Sequence, residues 1–160
     1  MNNLTPAIIG LFLGALPAVA ADPGGTVTGT IDGQPVELSV FAQQSDYGNS
    51  HISLYIIGGD LGEHGLGALS LGAEWIGELD KDFAHVEISA RLHDNPLRMY
   101  YSDNDDGLSL SLENATVTDD QLMITGKIEG VMTQMDRIGR KNPDPDQTHT
   151  IDLSFDAVVD

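Results

Sequence analysis

Apolar residues recur at every second position through most of this chain, and no stretch repeats them at the spacing of an amphipathic helix. In an extended strand, residues two apart point to the same face, so each such run buries one face and wets the other. Val27, Gly29 and Ile31 alternate with Thr28 and Thr30, and Asp32-Gly33 follows as a hairpin turn signal. Val36, Leu38 and Val40 alternate with Glu37 and Ser39. Ile52, Leu54 and Ile56 stand against His51, Ser53 and Tyr55, and Val86, Ile88, Ala90 and Leu92 against His85, Glu87, Ser89 and Arg91. Leu97, Met99 and Tyr101 lead into an acidic turn ending at Gly107, and Leu108, Leu110 and Leu112 lead out of it. Leu122, Ile124, Gly126, Ile128 and Met132 form one inward set, and Ile151, Leu153, Phe155 and Ala157 another.

The pattern predicts an all-β domain of antiparallel strands, a β-sandwich or β-barrel of about eight strands. A parallel sheet needs crossover helices, and none is readable here. The expected core includes Ile88, Leu110, Ile124, Ile128, Leu153 and Phe155. Thr28-Gly29-Thr30-Ile31-Asp32-Gly33 is echoed by Thr125-Gly126-Lys127-Ile128-Glu129-Gly130, too briefly for a duplication; a glycine inside a strand marks a bulge or a close contact. The glycine-rich segment 58–72 reads as a loop with one weak strand at its end. It lacks the Lys-Ser/Thr pair that a phosphate-cradling loop needs.

The first 21 residues carry no charged side chain. The apolar run 7–16, Pro17 and the small residues Ala18-Val19-Ala20-Ala21 read as a cleavable signal peptide, too short to span a bilayer as a stable helix. The organisation expected is therefore a signal peptide over residues 1–21 and a single all-β domain over 22–160, exported to the periplasm or secreted. Cysteine is absent, which removes disulfides, thiolate metal sites and a cysteine nucleophile. The net charge of −18 falls entirely on the domain, repels nucleic acid and anionic lipid, and favours a soluble monomer. No membrane insertion is expected.

Three groups of residues have chemistry to offer. The run 102–113 (SDNDDGLSLSLE) resembles a calcium-binding loop when aligned on Gly107, with Ser102, Asn104, Asp106 and Glu113 as ligands. Ser102 replaces the usual opening Asp, the flanks read as strands, and the plain alternative is an acidic β-turn. Second, Arg137, Arg140 and Lys141 hold three of the seven basic side chains within five residues. That patch suits an anion or a partner's carboxylates, unless it neutralises Asp144 and Asp146 in the following Pro-stiffened loop. Third, His85 and Glu87 share a strand face with Arg91 and His93. This polar row is a binding or acid–base constellation if it lines a cavity, and a solvated face if it meets water.

No HExxH pair, Gly-x-Ser-x-Gly elbow or Ser-x-x-Lys motif is present. The opening strand and the closing ITGKIEG…TIDLSFDAVV pair look like exported β-proteins of Gram-negative bacteria, a likeness of strand style that carries no functional residue. The reading is a non-enzymatic binding or interaction module for a small molecule or protein, with no cofactor. A calcium-stabilised structural or adhesion-type domain and a hydrolase built around His85 and Glu87 are the alternatives.

Overall fold

A computed structural model describes residues 24–48, 51–77, 85–118 and 121–159. Residues 1–21, which the sequence reads as a signal peptide, lie outside them. The described chain is antiparallel β-sheet, with two single-turn 3-10 segments and no α-helix. In order, the strands are β1 (Gly25–Ile31), β2 (Gln34–Phe41), β3 (Asp46–Gly48), β4 (His51–Asp60), β5 (Leu66–Ile76), β6 (His85–Leu92), β7 (Arg98–Asp103), β8 (Ser109–Val117), β9 (Leu122–Asp136) and β10 (Lys141–Val159).

Pairing follows the order β10-β1-β2-β4-β5-β6-β7-β9-β8, with β3 added beside β4. β10 also pairs with β9, so it is hydrogen-bonded on both edges. The other edge of β9 is shared, with β8 along its first half and β7 along its last residues. The ladder is thinnest between β2 and β4, where it consists of Val40 with Gly58 and Phe41 with Ile57.

Asp32 (φ 52°) and Gly33 (φ 74°) both take left-handed backbone between β1 and β2, the two-residue hairpin that Asp-Gly predicts. Asp32 then reaches across to β10, accepting from Thr150 N (2.8 Å) and pairing with His149 Nδ1 (2.6 Å). The strand glycines of the two short echoes mark close approaches. Gly29 has φ 139°, and a Cβ there would lie 2.2 Å from the Asp152 carbonyl oxygen. A Cβ on Gly126 would lie 2.8 Å from the Phe155 ring.

The period-two residues meet in one core that includes Ile31, Leu54, Ile56, Ile88, Leu122, Ile124, Ile128, Leu153 and Phe155. Val36 and Leu110 pack at its margin, half-buried. Two segments differ from the sequence expectation. The glycine-rich stretch is largely strand: β5 runs eleven residues and buries Leu66, Leu69, Leu71, Ala73 and Trp75. Asn142 to Asp146 is the irregular start of β10, with register shifts between Lys141 and Asp144 and again before Thr148. Prolines 143 and 145 sit in that broken stretch, where a missing N–H costs least.

Candidate functional site

The outer face of β4–β7 is where the unusual chemistry collects. Register sets its side chains in rows: Tyr55, Gly72, Glu87 and Asp103 form one, and Ile57, Ser70, Ser89 and Tyr101 the next. Small residues sit inside each row, Gly72 in the first and Ser70 and Ser89 in the second. A Cβ on Gly72 would stand 3.2 Å from Glu87 Cγ, so the glycine leaves the space that the Glu87 stem fills. Ala68, Ser70 and Ser89 keep the remaining floor low, between Tyr55 and Ile57 on one side and Met99 and Tyr101 on the other.

The β9–β10 turn overhangs the far side. Arg98 on β7 binds Asp136 (3.0 Å) and Gln134 (3.1 Å), Asn142 binds Asp136 (2.6 Å), and the Arg137 N–H donates to Leu97 O (2.9 Å). Left-handed backbone at Gly139, Arg140 and Asn142 turns the chain back. Arg140 then lies across the Tyr101 ring, 4.2 Å from its centroid, a cation–π contact. Met99, Tyr101 and Met135 are buried beneath as a small second apolar cluster.

Arg140 joins the face into a network. Its Nη2 is 2.7 Å from Glu87 Oε2 and its Nη1 donates to the Tyr101 hydroxyl at 2.5 Å. Tyr101 donates in turn to Asp103 Oδ2 (3.0 Å), and His85 Nε2 lies 3.4 Å from Glu87 Oε2. Burial pushes the Tyr101 hydroxyl well above its ordinary pKa, and the hydrogen bond to Asp103 and the Glu87 charge add to this against the pull of Arg140. Tyr101 therefore stays protonated and serves as a fixed hydrogen-bonding post.

Between floor and overhang lies a groove of about 570 Å³, within the ~300–1,000 Å³ typical of small-molecule sites. Arg91, Arg137 and Arg140 line it, three of the seven basic side chains in a chain of net charge −18. Glu87 is the one carboxylate lining it among the described residues. A recess of about 260 Å³ adjoins it, sharing Tyr55 and Glu87 and adding His85 and Glu74. By contrast, the core holds a void of only about 10 Å³ among Val27, Ile56, Ile88, Ile128, Leu153 and Phe155. That is about room for one water, in an apolar setting that would not hold it.

No protein-family model, no curated protein and no solved structure matches this chain. The site rests on its own geometry.

That geometry joins His85, Glu87 and Arg140 in one network and places Arg137 on the lining of the same groove. Lys141 stays outside the groove, its side chain passing within 3.4 Å of where a Gly139 Cβ would be. The four residues of the calcium-like loop go separate ways. Ser102 is buried, and its hydroxyl finds no partner among the described residues. Asn104 Oδ1 accepts from Val86 N (3.2 Å). Asp106 belongs to a 3-10 turn capped by Asp103, whose carboxylate accepts from the N–H groups of Asp105 and Asp106. Glu113 is exposed on β8 beside a register shift. Among the described residues no three His, Asp or Glu side chains gather to hold a metal ion.

Sequence reasoning passed over Tyr101, Met99 and the Tyr55–Ile57 wall. One signal was available: Met99-Tyr100-Tyr101 is apolar in both phases, which marks a strand covered on both faces. Tyr100 faces the main core, while Met99 and Tyr101 pack under the turn. The hydroxyls of Ser70 and Ser89 stand on the groove floor beside the Tyr101 ring, where they offer hydrogen-bonding contacts.

Proposed function

We propose that this protein is an exported, non-enzymatic binding module that holds a small molecule in the groove across the outer face of β4–β7. One observation carries the reading: a concavity of ligand size combines a low floor, apolar walls and convergent fixed polar groups. The uncharged leader over residues 1–21 supports export, and the acidic surface supports a soluble monomer. We read the double-edged pairing of β10 as closing the strands into a small barrel whose filled interior leaves the outer face to do the binding.

Native mass spectrometry of the exported protein tests this, alongside Ser89→Trp, which fills the groove floor without touching the core. A retained small molecule lost in Ser89→Trp, with both proteins equally folded, is the expected result. Equal retention by the two, or a small-molecule library that shifts no groove amide in the unaltered protein, would contradict the proposal.

A further inference from the structure

The groove is chemically polarised along its length, and this bears on what it holds. Glu87 and Arg91 are outward-facing residues of β6 four positions apart, hence about 13 Å apart along the strand. At the Glu87 end the charges are already matched, because Arg140 is paired with Glu87 and braced by Tyr101. At the Arg91 end they are not. The Arg91 side chain makes no hydrogen bond or ion pair among the described residues, and the Arg137 guanidinium donates only a long bond (3.4 Å) to the Pro96 carbonyl. Arg91 opposes Met99 in the β6–β7 ladder, and the Arg137 side chain reaches Pro96 in the loop joining those strands. Both therefore line the end of the groove away from Glu87, where the described lining holds His93 but no carboxylate, although the chain carries 25 Asp and Glu. Ile57, Leu92, Pro96 and Met99 supply an apolar strip beside them.

Resting on the reading of the groove as a ligand site, we propose that its ligand is a free amphipathic carboxylate. The head binds Arg91 and Arg137, and the apolar body lies along Ile57 and Met99. Guanidinium forks match a carboxylate through paired hydrogen bonds. The strip beside them gives an apolar body a place out of water. A free molecule fits better than a lipid surface, since a protein of net charge −18 is repelled by an anionic bilayer.

Titration of the full domain with octanoate, 1-octanol and acetate, followed by amide NMR, separates the parts. Octanoate binds at least tenfold tighter than either comparison ligand, and the preference shrinks as salt is raised. Arg91→Gln combined with Arg137→Gln, both at exposed positions, weakens octanoate at least tenfold and leaves octanol unchanged. Octanol binding as tightly as octanoate, or an unchanged octanoate affinity in the double variant, overturns the proposal. Ser89→Trp tells the two failures apart. If it weakens every ligand while the arginine variants do nothing, the groove stands and the carboxylate falls. If it leaves binding intact, the groove itself is the wrong site.

Discussion

Ile56 and Ile57 are neighbours on β4, yet they line two very different spaces. Ile56 is 1% exposed and borders the core void of about 10 Å³, and Ile57 forms a wall of the outer groove of about 570 Å³. One face of the same strands is packed to exclusion and the other is left concave. Aliphatic side chains from every long strand fill the first. On the second, small residues at Gly72, Ser70, Ser89 and Ala68 lower the floor while the β9–β10 turn raises a rim. The division puts stability on the core face and leaves the outer face free to carry polar groups.

The largest expected effect lies in the core. Ile88→Ala should cost about 2–5 kcal/mol and Phe155→Ala about 3–5 kcal/mol, read from denaturant melts, because each leaves a cavity in a filled interior. Neither should change what the groove binds once the protein is folded. A loss below about 1 kcal/mol in both would mean that the core is looser than its burial implies.

The outer network should matter far less to stability. Glu87 and Arg140 form a partly exposed pair, with side chains 30% and 49% exposed. A double-mutant cycle of Glu87→Gln and Arg140→Gln should give a coupling of about 1 kcal/mol or less. A coupling as large as the Ile88→Ala loss would make the outer cluster a second core and erase the contrast between the faces.

Smallest is the pH effect at the β1–β2 hairpin. Burial alone would raise the Asp32 carboxyl, but hydrogen bonds from His149 and Thr150, with the charges of His149 and His64, outweigh it and hold the pKa below 3.8. A lowered pKa in the folded state means stabilisation that is full above the unfolded value and fades as the pH falls through the folded one. Asp32→Asn keeps a residue that tolerates left-handed backbone, so it should cost less than about 1 kcal/mol near neutrality. Its deficit against the unaltered protein should vanish toward pH 2. A deficit constant down to pH 2 would assign it to the turn rather than to the charge.

The antiparallel fold was legible because alternation is a local signal, and the inward residues of β1, β4, β6, β9 and β10 could be read directly. β5 was not. Gly67 and Gly72 interrupt it, and the register shift between Leu66 and Leu69 breaks the phase of an otherwise clear Leu69, Leu71, Ala73, Trp75 series. The start of β10 was hidden by Pro143 and Pro145, which read as a loop although the segment remains in the sheet. Of the site, His85 and Glu87 could be named from their strand, and Arg137 and Arg140 from their rarity. Their meeting could not, because Glu87 and Arg140 are 53 residues apart and only the folded turn joins them.

The two neighbouring isoleucines offer the most direct measurement. In a methyl-labelled protein titrated with octanoate, the account predicts saturable shifts at Ile57 and Met99, ligand contacts to both, and no change at Ile56 or Ile88. Contacts from the ligand to Ile56 and Ile88, with Ile57 unmoved, would place binding in the core and contradict the account.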